Sequence, residues 1–367
     1  SMNDIFEYID THQGRFVEEL CGLIRQPSIS AQNVGIAECA ELVRRLMSEA
    51  GAEARLIPTP GFPVVFGLVK APGAKRTVLI YGHYDVQPPE PLEAWETPPF
   101  EPSIRNGRIY ARGAGDNKGQ MFAHLKAVEA ILRTRGKLPV NLKLCVEGEE
   151  EILSKHLPAF VSAHRDLLSA DVVYSSDGPM HPTGPMVYFG CRGTLYLELT
   201  AHGAKRDLHS GNYGGVAPAP AGRLAQALAS LWSSRGRVAV SGFYDRVRKP
   251  SPADRRVLRA IPFEEESVRN DLGCLPLTGP GGRAYYRRLL LQPNLNVAGL
   301  TGGYQGTGMK TIIPHVARAK LDARLVMDQD PDEIEEKIRV HLKRRGFGDV
   351  EVKRLGAVPP SRTPVDH

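Results

Sequence analysis

Six acidic and imidazole side chains sit where apolar runs of this chain end. His83 and Asp85 follow Thr77-Val-Leu-Ile-Tyr-Gly82, and Asp116 lies in Gly113-Ala-Gly-Asp-Asn-Lys-Gly119. Glu150 and Glu151 follow Asn141-Leu-Lys-Leu-Cys-Val146, and Asp177 follows Asp171-Val-Val-Tyr-Ser-Ser176. Buried strands with charged residues at their carboxyl ends are a common way for an α/β sheet to build an active site. One imidazole with several carboxylates and no thiolate suits a divalent ion such as zinc or manganese. The pattern predicts a hydrolytic metal site.

Each piece alone has a plainer reading. His83 is either a structural histidine or a ligand whose other ring nitrogen is held by Asp85, which fixes its tautomer. Asp116, between glycines and ahead of a helical segment, is a ligand or a helix N-cap. Glu149-Glu150-Glu151 would by default be a solvated acidic turn, yet it ends a strongly apolar strand. Neighbouring residues there point in different directions, so one carboxylate can bind metal while the next faces substrate. Asp177, before Gly178-Pro179, is a ligand or opens a turn.

The elements that must position these residues follow from patterning. Residues 4–25 and 34–50 carry helical apolar spacing, with Gly51 as a stop. Strands at 64–69, 78–84, 140–146 and 172–175 then alternate with helices at 118–134 and near 157–168, which predicts an α/β sandwich with a largely parallel sheet. Prolines 88, 89, 91, 98, 99 and 102 make the stretch between His83 and Asp116 a long irregular loop, of the kind that usually serves function. Beyond Gly190 the texture changes. Residues 193–201 and 316–327 alternate apolar and polar, 216–233 reads as an amphipathic helix, Asp330-Pro-Asp-Glu333 starts a helix to Arg345, and 350–355 is a last strand. Together they predict a small α+β module with an antiparallel sheet over 190–358. The span 242–293, rich in Pro, Arg and Gly, carries no readable pattern. Gly302-Gly-Tyr-Gln-Gly-Thr-Gly308 lacks the lysine and strand-to-helix setting of a phosphate loop.

Composition bounds the function. At 367 residues two domains are expected, and 42% hydrophobic with 24% charged residues fits a soluble globular protein. No apolar run of about 18 residues occurs, and no secretory leader is visible, so a cytoplasmic protein without a membrane partner is expected. Five cysteines, odd in number and without metal-type spacing, read as reduced and mostly buried thiols. The net charge of +6 is scattered, with clusters at 246–249 and 343–345 read as solvated faces, so nucleic acid is not an expected partner.

Taken in order, Gly82-His83-Tyr84-Asp85-Val86-Gln87-Pro88, Gly113-Ala-Gly-Asp116-Asn117-Lys118-Gly119, Glu147-Gly-Glu-Glu150-Glu151, Ser176-Asp177 and His209-Ser-Gly-Asn-Tyr-Gly-Gly215 closely resemble the di-zinc exopeptidase family of cytosolic nonspecific dipeptidases and carnosinases. Its wider relatives include aminoacylases, glutamate carboxypeptidases and succinyl-diaminopimelate desuccinylase. The resemblance covers nearly the whole chain, and the insertion 242–293 with Lys310-Thr-Ile-Ile-Pro314 is most similar to the dipeptidase branch. It implies a zinc-exopeptidase-like α/β sandwich with a mostly parallel sheet at 1–189, the catalytic metal-binding domain. An inserted α+β lid and dimerisation domain with a four-stranded antiparallel sheet would occupy 190–358, and 359–367 would begin the return into the catalytic domain.

The resemblance also implies roles. His83 and Asp177 would bind one metal, Glu151 a second, and Asp116 both. Two divalent ions are expected, zinc first, with manganese or cobalt as alternatives. Glu150 would be the general base, Asp85 would orient His83, and Thr311 and Arg324 would anchor the substrate carboxylate. His209 would reach the active site of the other subunit of a homodimer and stabilise the oxyanion. The peptide bond after the bridging aspartate, Asp116–Asn117 here, would be cis. The expected reaction is hydrolysis of dipeptides or short peptides by a metal-bridging water. The rivals are an N-acyl-amino-acid deacylase or desuccinylase and a non-catalytic dimeric relative. Two departures stand out. Leu153 replaces the glycine of the family's Glu-Glu-x-Gly-Ser turn. The family's chain also continues past a lid of this size and supplies a last histidine ligand on the Glu151 side, a place His367 does not fill. The sequence thus reads as a fragment or a naturally shortened member, expected to hold at most one tight metal and to be inactive or nearly so on dipeptides.

Overall fold

The computed structural model describes residues 2–178, 186–273, 277 and 282–367. The chain divides into two compact units, residues 1–185 and 186–367. Among the described residues no helix is long and apolar enough to cross a membrane.

The first unit opens on two amphipathic helices, α1 (Asn3–Arg25) and α2 (Ile36–Glu49). α1 buries Phe16, Leu23 and Ile24, and α2 buries Cys39, Ala40, Val43 and Met47, one apolar stripe each. Five strands follow: β1 (Glu53–Ile57), β2 (Val64–Val69), β3 (Thr77–His83), β4 (Asn141–Glu147) and β5 (Val172–Ser175), in the order β1-β2-β4-β3-β5. β3 is parallel to both β4 and β5, and β2 alone runs against the other four. Parallel neighbours need a crossover, and α3 (Lys118–Arg135) supplies it between β3 and β4. One sheet face packs on α1, α2 and α3 through Val65, Val69, Met121, Phe122 and Leu125. The other packs Val64, Phe66 and Leu79 against Phe160 of α4 (Leu157–Ala163). A sheet covered on both faces explains why β2 is apolar almost throughout. In register, Tyr81 stands beside Ser175 and His83 beside Glu147, so β3, β4 and β5 end side by side. Lys118, fully buried, donates to the carbonyls of Leu23 (3.2 Å) and Gln26 (2.5 Å) at the end of α1.

The second unit is built on β6 (Gly193–His202), β7 (Asn294–Gly302), β8 (Val316–Leu325) and β9 (Glu351–Val358), all antiparallel in the order β7-β8-β6-β9. Leu195, Leu197 and Leu199 share a buried face with Ala319, Leu321 and Ala323, as strict alternation requires. Helices α5 (Pro220–Ser230) and α6 (Pro331–Arg344) cover that face. Asp330 caps α6 by accepting a hydrogen bond from the Asp332 N–H.

Several expectations need correction. The helix expected near 157–168 is two short ones, Leu157–Ala163 and Arg165–Leu168, interrupted at His164. The helix expected over 216–233 runs from 220 to 230 and starts on Pro220, whose missing N–H suits a first turn. The supposedly irregular stretch after His83 contains a ribbon, Ser103–Arg105 with Arg108–Tyr110. Its turn is Asn106-Gly107, both at positive φ, a hairpin signal the patterning overlooked. Strands β1 and β7 went unread; β7 is rich in Asn and Gly, which rarely favour strands. The unreadable 242–293 span contains helices Pro252–Ala260, Glu265–Leu272 and Arg283–Leu291, the first opened by a Ser251–Asp254 capping box. Cys21, Cys39 and Cys145 are buried free thiols, while Cys191 is exposed. Cys274 and Pro179 lie outside the described residues.

One buried charge cluster holds α1 to α3. Glu129 accepts hydrogen bonds from Lys126 at 2.8 Å, from the Tyr8 hydroxyl at 3.1 Å and from Arg15. Burial raises its pKa, but these donors outweigh burial and hold it at about 2. Glu129→Gln should therefore cost about 3 kcal/mol at neutral pH, because it leaves the buried Lys126 with Glu19 as its remaining carboxylate partner and takes the charged partner from Arg15. A carboxyl depressed from 4.5 to about 2 contributes stability that is complete above the higher value and lost as pH falls through the lower one. Urea melts from pH 7 down to pH 2 should show the variant's deficit shrinking across that window.

Candidate metal centre

His83 ends β3 with its side chain wholly buried. Its Nδ1 lies 3.0 Å from the Asp85 carbonyl and 3.3 Å from Asp85 Oδ1, so when the ring is neutral its proton sits on Nδ1. Nε2 then carries the lone pair, and among the described residues it has no hydrogen-bond partner. It faces Asp116 Oδ1 at 3.3 Å, Asp177 Oδ2 at 3.4 Å and Glu150 Oε2 at 3.9 Å. His83, Asp116 and Glu151 each present one donor atom within 4.8 Å of the others. The six residues singled out from sequence in this unit are thus brought together. A buried orphan nitrogen ringed by carboxylates fits a divalent cation.

The electrostatics agree. Burial pulls the His83 pKa down, but Asp177 and Asp85 outweigh it and hold it up at about 11. The 3.4 Å approach of Asp177 is an ionic contact, longer than a formed hydrogen bond. Asp177 is held below the usual carboxylate range by the same contact, while burial pushes Glu150 and Glu151 up. Surplus negative charge draws a proton onto His83, in the place a divalent ion would take.

Asp85 does more than orient His83. Its Oδ1 accepts from the Glu150 N–H at 3.2 Å and its Oδ2 from the Glu151 N–H at 3.1 Å. The three successive glutamates separate cleanly. Glu149 is buried and pairs with His156 Nδ1 at 2.9 Å, whereas Glu150 and Glu151 turn toward His83 and Asp116. Gln87, quoted within a motif but given no role, donates to Glu151 Oε2 at 2.7 Å. The peptide bond Asp116–Asn117 is cis, and the N-cap of α3 is Asn117, not Asp116.

The second unit holds the other three expected residues. His209 Nδ1 accepts from the Gly211 N–H at 3.0 Å, which leaves Nε2 as the donor in the neutral ring, 3.3 Å from Thr311 Oγ1. Arg324 lies on β8 and donates to Thr194 Oγ1 at 3.1 Å. His209 and Thr311 are neighbours on a short ribbon pairing Leu208–His209 with Ile312–Ile313, and Arg324 belongs to the four-stranded sheet.

The turn after Glu151 carries the cost of a departure already noted. Leu153 has φ 73°, a left-handed conformation that glycine adopts freely and leucine does not. Its side chain is 91% exposed and packs on little. Leu153→Gly should relieve about 1 kcal/mol of strain, partly offset by the greater freedom of glycine in the unfolded chain. A small rise in urea midpoint checks this; a marked fall would mean the leucine has contacts that matter.

A sequence profile described as Peptidase family M20/M25/M40 matches residues 79–367, a span that includes every residue of the metal cluster. The chain is 30% identical over 363 residues to the Cys-Gly metallodipeptidase dug1 of Schizosaccharomyces pombe, covering 94% of this chain and 76% of that protein. It is also 30% identical over 363 residues to the Beta-Ala-His dipeptidase of Homo sapiens, covering 93% and 71%. The M20 family metallo-carboxypeptidase Sso-CP2 from Sulfolobus solfataricus has a similar solved structure, with a TM-score of 0.86 at 39% identity over 96% of this chain and 80% of that one. The chain belongs to peptidase family M20/M25/M40.

Proposed function

We propose that this chain is a metal-dependent exopeptidase that hydrolyses dipeptides and short peptides. The observation that carries the reading is the buried Nε2 of His83, without a hydrogen-bond partner among the described residues and facing the carboxylates of Asp116 and Asp177. In this reading His83 and Asp177 hold one divalent ion, Glu151 a second and Asp116 both, with zinc the first choice and manganese or cobalt the alternatives. When bound, such ions acidify a water and polarise a carbonyl oxygen. Glu150 accepts the proton of the attacking water and passes it to the leaving amine. Its carboxylate lies near the cluster, and Asp85 holds its backbone in place. His209 offers its Nε2–H to the developing oxyanion, and Thr311 and Arg324 take the substrate carboxylate, a task suited to a planar guanidinium. Residues 1–189 act as the metal-binding domain and 190–358 as a lid through which two copies pair. The relatives named as dipeptidases support dipeptides as substrates.

The similarity to a metallo-carboxypeptidase favours a second reading, removal of the C-terminal residue from longer or N-acylated substrates. Both readings use the same metals and base, because specificity lies in pocket shape. Parallel assays with free dipeptides, N-acyl amino acids and N-blocked dipeptides separate them. A clear preference for blocked substrates would displace the dipeptidase reading.

Glu150→Ala should leave metal content nearly unchanged and lower turnover by about a hundredfold or more, the usual worth of a general base. Metal analysis beside a dipeptide assay checks this, and metal loss would instead make Glu150 a ligand. Sedimentation should give two copies per particle, and His209→Ala should lower turnover with the dimer intact. A fully active monomer would remove the role of His209 in a second subunit.

A further inference from the structure

Asn117 is 2% exposed and precedes α3, yet its side chain makes no capping bond to that helix. Its amide reaches across the sheet instead. Oδ1 accepts from the His83 N–H at 3.3 Å, and Nδ2 donates to the Ser176 carbonyl at 3.1 Å. The two partners fix the orientation of the amide, since an N–H can only donate and a carbonyl only accept. The β3–β5 ladder stops at Tyr81 and Ser175, just short of the residues that would hold metal. From there the Asn117 amide spans the gap and satisfies the His83 N–H on β3 and the Ser176 carbonyl just past β5. Gly82 makes room for it, because a Cβ there would lie 3.0 Å from Asn117 Oδ1. Asn117 follows Asp116, hydrogen-bonds His83, and holds the residue before Asp177. A single residue thus links the end of β3 to the two segments that bring Asp116 and Asp177 to His83 Nε2.

We infer that Asn117 is a positioning residue of the metal centre, whose amide sets the spacing of His83, Asp116 and Asp177 and thereby the affinity of that position for a divalent ion. The inference rests on the metal-centre reading above. Aspartate matches asparagine in size and keeps the acceptor for His83, but it sets an oxygen against the Ser176 carbonyl and adds a negative charge. Charge alone would make Asn117→Asp bind a cation more tightly, and lost positioning would make it bind more weakly. The two effects have opposite signs.

The test is zinc affinity of the full 367-residue chain, by competition with a chromophoric chelator, for the wild type, Asn117→Asp and Asn117→Ala. Circular dichroism and urea melts of the metal-free proteins are recorded beside it. Loss of a group that orients metal ligands typically weakens binding about 10- to 100-fold, and that loss is expected in both variants while the metal-free fold is retained. Unchanged or tighter zinc binding by folded Asn117→Asp overturns the inference. So does failure of both variants to fold, which would make the amide a requirement of the fold instead of the site. If both variants lose zinc affinity but the wild type cleaves no dipeptide, the proposed activity fails and the positioning role stands. If it cleaves dipeptides and the variants bind zinc as it does, the reverse holds. A wild type that binds no zinc ends both.

Discussion

The carboxylate of Asp85 is the joint on which the metal centre depends. It is completely buried, and a charge so placed must be met by donors on every side. It finds them in the His83 ring and in the N–H groups of Glu150 and Glu151. One side chain therefore fixes the tautomer of the neutral His83 ring at the end of β3 and the path of the backbone at the end of β4. Glu150 and Glu151 are thereby held as adjacent residues of one turn, both facing the cluster. Glu149, on the same turn, is drawn away to His156, which keeps a third carboxylate out of the cluster.

The sheet supplies the coarser positioning. Because β3, β4 and β5 are parallel and in register, their carboxyl ends arrive together, and a slip of one residue would send each side chain to the wrong face. The apolar strands pack between two layers of helices, so the register is backed by the whole core of the first unit. What the sheet gathers is unfavourable in itself: several carboxylates around one imidazole repel one another, and His83 takes up a proton in response. Stability spent in assembling like charges is regained on binding a cation, which links occupancy of the site to stability of the unit.

Much of this was legible in the sequence because the relevant signals are local. An apolar strand ending in His-x-Asp or Glu-Glu, and an aspartate set between glycines, need no distant partner to be recognised. Alternation along residues 193–201 and 316–325 likewise gave the antiparallel sheet directly. The roles of Asn117, Gln87 and Glu149 were not legible, since an amide or a carboxylate acquires its function from a partner far along the chain. Nothing local says which of three successive glutamates will meet His156. Strand β7 was hidden for a different reason: its Asn- and Gly-rich sequence forms a strand because β8 offers it a ladder, not through its own propensity. The Asn106-Gly107 hairpin and the Ser251 capping box were local signals that the surrounding prolines and arginines obscured.

Lys118 extends the reach of the centre in a way its place beside the cis peptide does not suggest. Its buried ammonium closes the carbonyl end of α1, and it is the second residue after Asp116. Undocking of α1 would take both carbonyl acceptors from a fully buried amine, so α1 is tied to the shape of the Asp116 loop. The N-terminal helix and the Asp116 loop are therefore expected to open together. A cation bound deep in the sheet would then slow amide exchange along α1, a helix that carries none of its ligands.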